Sequence, residues 1–220
     1  MKYPYLLYQT DLKHASIFPG LAGNPYVADL SFRNPILDTI DVRDQKRYQA
    51  ILANEMAPHH SWGLSGYLER RDSLLRDCEQ MVSEKRFYHL GLDIIVPVGR
   101  ELHAPLDAVA VGAGYETGEG NYGGFVILRH ESADFDAFYS FYGHLNRSSL
   151  PDTGRRFTAG EPFARVGDFH ENGNWFHHTH LQVITEKGLA AGYAAKGYCA
   201  AEDLPEMNDL CPSPIPLFRR

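Results

Sequence analysis

The stretch RFYHLGLDIIV at residues 86–96, together with HTHLQVI at residues 178–184, decides the fold of this chain. Both runs are short, rich in β-branched or aromatic residues, and bounded by Gly, Pro or polar residues, which is typical of β-strands. Residues 108–111 and 125–128 are also short apolar runs of this kind. The pattern predicts a mainly β domain, built as an antiparallel β-sandwich or barrel.

The sequence on either side of this region has a different texture. Apolar residues recur at helical spacing over residues 44–56 and 65–82, which predicts two helices. We therefore predict three parts: an irregular and helical N-terminal segment at residues 1–85, the β domain at residues 86–186, and a loop-rich tail at residues 187–220.

Composition limits the classes of function. The chain has 220 residues, 44% of them hydrophobic, which is enough for one substantial core. Its 28 acidic residues exceed the 21 basic ones, giving a formal net charge of −7, and this excess disfavours nucleic acid as a partner. The oligomeric state is left open.

No apolar run approaches the ~20 residues that cross a bilayer, so we expect no membrane partner. The first nine residues contain no signal-peptide core, since Pro4 interrupts a short apolar run. This predicts a cytoplasmic location, although export by another route stays open. The three cysteines contain no C-x-x-C pair, and a Cys199–Cys211 disulfide is left open.

Histidine spacing carries the chemistry. His89 and Asp93 lie four residues apart at the start of a predicted strand, and His178 and His180 lie two apart in another. Even spacing in a strand places both members of each pair on one face, with Leu181 on the opposite, core face. His144 lies between the pairs in the sequence.

Two imidazoles and one carboxylate make a suitable donor set for a catalytic zinc ion, which takes three protein ligands and keeps one position for water. Zinc lowers the pKa of its bound water toward neutrality and polarises a carbonyl oxygen. Two further histidines would accept the water's proton and stabilise the oxyanion. His144 and His178 fit these two roles, and the spacing leaves open which is the base.

An ordered series of motifs resembles the lysostaphin-type zinc metalloendopeptidases over about 100 residues. The series consists of His89-x-Gly91-x-Asp93, Ala104-Pro105, Gly120-Asn121-Tyr122-Gly123, Tyr142-Gly143-His144-Leu145, Val166-Gly167 and His178-x-His180. The resemblance implies Zn²⁺ held by His89, Asp93 and His180, with His144 and His178 as catalytic histidines. It also implies hydrolysis of peptide bonds, in peptidoglycan or in glycine-containing peptides.

Two features set the chain apart from that family: the stretch before His178, and the missing signal peptide noted above. Residues 168–177, before His178, form a longer, more aromatic and more charged stretch than the family's loop, which affects the expected substrate. Some relatives are latent because an upstream residue fills the open zinc position. Asn54, His59 and His60 are candidates for that role here.

Other motifs favour structural interpretations. The glycines at residues 112–124 predict turns and a hairpin, because no helix pattern follows them as in a phosphate-binding loop. Ser65 is interpreted as a helix N-cap, and His130 as a hydrogen-bonded strand residue. Tyr139 and Tyr142 could orient substrate or simply pack.

Two rival functions remain. One is a cytoplasmic zinc hydrolase that acts on a small metabolite or modified amino acid with the same site. The other is a non-catalytic binding module on the same fold, which the complete histidine set disfavours.

Overall fold

A computed structural model describes residues 1–9 and 11–218 of the chain. The strands are β1 (Tyr26–Val27), β2 (Gly63–Ser65), β3 (Tyr88–His89), β4 (Leu92–Ile95), β5 (Glu101–His103), β6 (Ala108–Tyr115), β7 (Gly124–Ser132), β8 (Phe135–Leu145), β9 (Arg156–Phe157), β10 (Pro162–Arg165), β11 (Thr179–Thr185) and β12 (Tyr198–Cys199). The helices are α1 (Ile36–Thr39), α2 (Gln45–Met56), α3 (Asp72–Leu75), α4 (Glu79–Ser83), α5 (Glu186–Ala190) and α6 (Met207–Leu210).

One eight-stranded sheet organises the molecule, with the order β1-β2-β4-β11-β8-β7-β6-β9. Its pairs are antiparallel except for β1 with β2. Two-stranded sheets β10-β5 and β12-β3 accompany it. The mainly antiparallel β prediction is confirmed. Within the described ranges β1 and β9 do not pair, so the sheet is not a closed barrel; the sandwich stays a prediction.

The alternation of side chains along β11 separates core from site. Leu181 and Val183 are fully buried in the main core, beside Leu92 and Ile94 of β4. His180 projects from the opposite face, as the even spacing predicts. The glycine-rich region forms the predicted β6–β7 hairpin, whose strands pair antiparallel.

The N-terminal segment agrees with its first predicted helix and not with its second. Helix α2 begins after the N-cap Asp44, whose side chain accepts a hydrogen bond from Arg47 N, and ends at Met56. The single helix predicted over residues 65–82 is wrong: Ser65 ends β2 instead of capping a helix, and only the short helices α3 and α4 follow.

Tertiary hydrogen bonding explains this difference. Leu68 has a φ of 57°, outside the helical region. Its N–H donates to His89 O, and Arg71 N–H donates to Phe87 O. The segment thus follows the neighbouring β3 region, because contacts between distant parts of the chain override local helix propensity.

The N-terminal segment packs closely against the β domain. Strand β2 pairs with β4 inside the main sheet. Side-chain oxygens of Gln45 and Gln49 on α2 accept hydrogen bonds from the backbone N–H groups of Phe176 and His177. The division of the chain at residues 86 and 187 stays a prediction.

The predicted loop-rich tail, residues 187–220, is described as far as residue 218. It contains most of α5, which begins at Glu186, together with α6, β12 and turns of 3₁₀ helix. All three cysteines are free thiols, so the Cys199–Cys211 disulfide is not formed. None of the helices in the described ranges has the length and apolarity that a bilayer span requires.

Candidate metal centre

The side chains of His89, Asp93 and His180 converge, with their donor atoms all within 4.8 Å of one another. His89 Nε2 lies 2.9 Å from His180 Nδ1, and Asp93 Oδ1 lies 3.2 Å from the first nitrogen and 3.3 Å from the second. Sheet register produces this meeting, because β11 pairs with β4 so that His180 stands opposite Asp93.

Gly91 makes room for the cluster. A Cβ atom at this position would lie 2.4 Å from His180 Cε1, closer than any real contact. The glycine between His89 and Asp93 therefore lets the imidazole of His180 pass over the backbone. The His-x-Gly-x-Asp motif thus has a steric basis in this fold.

Outer hydrogen bonds fix the tautomers of the two imidazoles. His89 Nδ1 lies 3.0 Å from Gly66 O, and His180 Nε2 lies 3.0 Å from Gln182 Oε1. Since both partners are acceptors, these nitrogens carry the N–H, and the lone pairs of His89 Nε2 and His180 Nδ1 point at each other.

Three acceptor atoms, including Asp93 Oδ1, therefore face one small volume. They repel one another unless a cation or proton lies between them. Tetrahedral zinc with bonds of about 2.0–2.2 Å places its ligand atoms about 3.3–3.6 Å apart, close to the separations above. The residues fit a zinc ion in donor type, spacing and outer hydrogen bonding.

The second oxygen of Asp93 is held by a buried arginine. Arg71 Nη1 donates to Asp93 Oδ2 at 2.8 Å, Arg71 Nη2 donates to Ser65 Oγ at 2.7 Å, and Ser65 Oγ donates to Asp93 Oδ2 at 3.1 Å. Arg71 Nε donates to Glu69 Oε2 at 2.8 Å. Burial opposes ionisation of Asp93, but its contacts with His89 and with the Arg71 guanidinium outweigh it and hold the pKa of Asp93 well below its usual value.

His144 and His178 lie beside the cluster, with ring centroids 4.3 Å apart. His144 Nδ1 donates to Asn172 O and His178 Nδ1 donates to Phe176 O, both at 2.7 Å. Each ring therefore keeps a lone pair on Nε2. His178 Nε2 lies 3.6 Å from Asp93 Oδ1, which places this lone pair at the cluster.

The backbone at His144 is strained. Its φ of 64° lies in the left-handed region that residues with a Cβ avoid. Flanking bonds hold it there, because His144 N–H donates to Tyr122 O and His144 O accepts from Gly167 N–H. Such strain, of order 1–3 kcal/mol, is concentrated at functional sites.

Burial keeps His89, His144 and His178 neutral. It lowers the pKa of His89 to about 3, helped by the charge of Arg71, and lowers that of His178 to about 4. Burial also holds the pKa of His144 well below its usual value. Neutral imidazoles can bind metal or accept a proton, as the proposed chemistry requires.

The cluster opens into an inner cavity of about 70 Å³. Its wall includes Asp93, His144, His178 and His180 of the site, Arg71, Leu74, Gln80, Met81 and Arg86 before β3, and Tyr122, Trp175, Gly197 and Tyr198 from the rest of the chain. An outer cavity of about 260 Å³ shares Leu74, Met81 and Trp175 with it. The five predicted site residues are at most 6% exposed, so the N-terminal segment covers the site.

Asn54, His59 and His60, the residues predicted as candidates to fill the open zinc position, lie away from the metal cluster. Asn54 and His59 are exposed, and His60 Nδ1 hydrogen-bonds Asn24 O. None of the three belongs to the walls of either cavity. The cover is instead made by α3, α4 and the turn before β12.

Other histidines and tyrosines have structural roles. His130 is fully buried, with Nε2 2.7 Å from Ser140 Oγ and Nδ1 bonded to Asp107 O, as its structural interpretation predicts. His177 Nε2 lies 3.0 Å from Asp168 Oδ1, outside the cluster. Tyr139 and Tyr142 are absent from the cavity wall among the described residues.

Sequence reasoning missed several site residues: Arg71, Gln182, Tyr122 and Tyr198. No sequence signal pointed to Arg71, because arginine is rarely buried. Gln182 could have been found, since it is two residues after His180 in the same strand and so shares its face.

The central region of the chain matches a known protein family. The family model described as Peptidase family M23 matches residues 87–191. No curated protein matches the sequence.

Solved structures that resemble the chain include two peptidases. The catalytic domain of the antimicrobial peptidase lysostaphin from Staphylococcus simulans is 19% identical, over 54% of this chain and 78% of that chain, with a TM-score of 0.40. A zinc-containing peptidase from Vibrio cholerae is 21% identical, over 44% of this chain and 27% of that chain, with a TM-score of 0.37.

The chain spans 27% of the Vibrio cholerae protein and 38% of lysostaphin in its solution structure, less than half of either relative. The assignment rests on the family model, whose matched region contains the whole cluster. Residues 87–191, just under half of the chain, match the model of Peptidase family M23, which identifies this region as lysostaphin-type.

Proposed function

We propose that the chain is a zinc-dependent hydrolase that cleaves amide bonds, with His89, Asp93 and His180 as metal ligands and His144 and His178 as catalytic histidines. The observation that supports this most is the convergence of three acceptor atoms on one point, with outer hydrogen bonds aiming each imidazole. Bound zinc supplies an activated water and a Lewis acid.

Side chains of the protein would carry out the proton transfers and stabilise the charges. In hydrolysis, the water oxygen bonds to the carbonyl carbon, the C–N bond breaks, and the amine leaves with a proton. His144 and His178 each present Nε2 as an acceptor, so one would take the water's proton and pass it to the leaving amine, while the other would take up a proton from solvent and donate a hydrogen bond to the oxyanion. Asp93 Oδ1, 3.6 Å from His178 Nε2, stabilises positive charge on that ring.

Paired substitutions test this assignment. His89→Ala should lose the metal, because it removes a ligand. His144→Ala should keep the metal and lose turnover. Metal analysis with hydrolysis of glycine-rich peptides and muropeptides gives both readouts. An His144→Ala protein that hydrolyses at the native rate, or a native protein that takes up no zinc, would overturn the proposal.

A second candidate, hydrolysis of a small amide instead of a polymer, is favoured by the cover over the site. An inner cavity of about 70 Å³ is far below the roughly 300–1,000 Å³ of pockets that enclose drug-sized ligands. Relative rates on soluble muropeptides and on intact peptidoglycan separate the two. Faster cleavage of the polymer would reject the small-amide candidate.

A further inference from the structure

Two buried arginines, Arg71 and Arg86, line the inner cavity, and their surroundings differ. Arg71 donates to Glu69, Asp93 and Ser65 at 2.8 Å or less, so its guanidinium is well satisfied. This satisfied arginine serves as an internal reference for Arg86.

Arg86 is 5% exposed and poorly satisfied. Among the described residues its one hydrogen bond runs from Nη1 to Tyr198 O, at a long 3.5 Å. Its Nε forms no hydrogen bond, although the carboxylate of Glu84 lies 2.7 Å away as an ion pair. A guanidinium has five N–H donors, and burying them without acceptors is costly.

The only ion-pair partner of Arg86 in the described structure is a half-exposed carboxylate. The side chain of Glu84 is 49% exposed, so solvent can stabilise its carboxylate when a competing anion reaches the guanidinium. An incoming anion could therefore replace it on the guanidinium. Arg86 is thus a buried cation paired with one half-exposed carboxylate.

A second unsatisfied donor lies in the same wall. The hydroxyl of Tyr122 is buried without a hydrogen-bond partner. Tyr122 and Arg86 both line the inner cavity. Gly197 leaves space for this hydroxyl, since a Cβ there would lie 2.6 Å from it.

The position of Arg86 in the cavity system also matters. Arg86 lines the inner cavity with Asp93 and His180, and it is absent from the wall of the outer cavity. Because the inner cavity is small, about 70 Å³, a carboxylate bound to Arg86 would lie near the metal cluster. A chain entering through the outer cavity would place its end there.

We propose that Arg86, assisted by the Tyr122 hydroxyl, binds a free carboxylate of the substrate, so that the enzyme cleaves the amide bond next to a chain-terminal carboxylate. A guanidinium matches a carboxylate with two parallel hydrogen bonds. This inference rests on the proposed hydrolase function. The substrates would then be short peptides or acylamino acids with a free C-terminal carboxylate.

Binding of two matched probes tests the inference. N-acetylglycine carries the carboxylate, and N-acetylglycinamide differs only in replacing it with an amide. Both are titrated into metal-free and zinc-loaded protein, because the metal-free form excludes direct binding of the carboxylate to zinc. The acid should bind about ten- to a hundredfold more tightly than the amide in both forms.

Variants at the two ends of the ion pair should act in opposite directions. Arg86→Ala should abolish the preference for the acid, whereas Glu84→Gln should strengthen it because the competing carboxylate is gone. Arg165→Ala is the matched control, since it removes the same charge from an exposed ion pair with Glu101. Glu84→Gln lies at the surface, so it keeps the test valid if Arg86→Ala does not fold.

Several outcomes would overturn the inference: equal affinity for the two probes, no binding of either, a preference that survives in Arg86→Ala, or no change in Glu84→Gln. Inorganic phosphate that binds while N-acetylglycine does not would reject the carboxylate class. If the preference for the acid holds but no zinc-dependent amide hydrolysis is found, the hydrolase proposal fails and the anion site stands.

Discussion

Arg71 Nη1 lies 2.8 Å from Asp93 Oδ2, and neither side chain is more than 3% exposed. This bond leaves Asp93 Oδ1 to face His89 and His180. Because a buried carboxylate is costly without a partner, Arg71 keeps Asp93 ionised before any metal arrives. The N-terminal segment thus contributes to the metal centre through an outer contact.

Arg71→Ala should weaken zinc binding by about 10–100-fold, as loss of an outer partner typically does. Without the guanidinium the pKa of Asp93 rises, so protons compete with zinc and the loss grows as the pH falls. Competition titration with a chelator at neutral and mildly acidic pH measures it. Arg70→Ala, which removes an exposed neighbour paired with Asp72, is the control; equal zinc affinity in both variants would refute the role of Arg71.

Gly91→Ala should displace the ring of His180, because the new Cβ would lie 2.4 Å from Cε1. We expect a loss of roughly 1–3 kcal/mol in stability, as for other overpacked positions, together with weaker zinc binding. Thermal unfolding and zinc titration give the two readouts. Gly66→Ala, where the nearest atom would lie 3.8 Å away, should be close to native.

Gln182→Leu should loosen the orientation of His180 by removing the acceptor that lies 3.0 Å from its Nε2. The ring could then place its proton on Nδ1, which faces the metal position. We expect about 10–100-fold weaker zinc binding. Nuclear magnetic resonance of the metal-free protein would report the tautomer directly, and an unchanged Nε2–H form would contradict the prediction.

Acid should destabilise the metal-free protein. Burial lowers the pKa of His89 to about 3 and those of His178 and His130 to about 4, whereas an unfolded histidine titrates near 6.5. Between these values the unfolded chain binds more protons, so stability is full above about pH 6.5 and falls as the pH drops toward 4.

Denaturant unfolding of metal-free protein across this range measures the effect. Each group contributes at most about 1.4 kcal/mol per pH unit. His130→Gln keeps a polar group beside Ser140 and should make the fall with pH shallower by about one proton. A slope identical to that of the native protein would show that His130 does not titrate on unfolding.

Strand periodicity accounts for what the sequence predicted about this cluster. Alternation along β4 and β11 places Asp93 and His180 on one face, and neighbouring antiparallel strands bring that face together. The resemblance to a known family specified which imidazoles belong to the cluster. Their roles in catalysis stay predictions.

The surroundings of the metal cluster could not be predicted from the sequence, because they depend on contacts between distant parts of the chain. Arg71 reaches Asp93 only because Leu68 and Arg71 bond to the β3 region instead of forming a helix. The long stretch at residues 168–177 looked like a determinant of substrate choice. In the structure it also anchors His144, through the carbonyl of Asn172.

The insertion of β2 beside β4 has a consequence for activation. An enzyme kept dormant by a detachable prosegment is switched on when a protease clips that segment away. Here a cut before β3 would free Ser65 and Arg71 along with the cover, exposing an unpaired sheet edge and leaving Asp93 without its counter-charge. We expect clipping to inactivate this protein, because the segment that covers the centre also supports it.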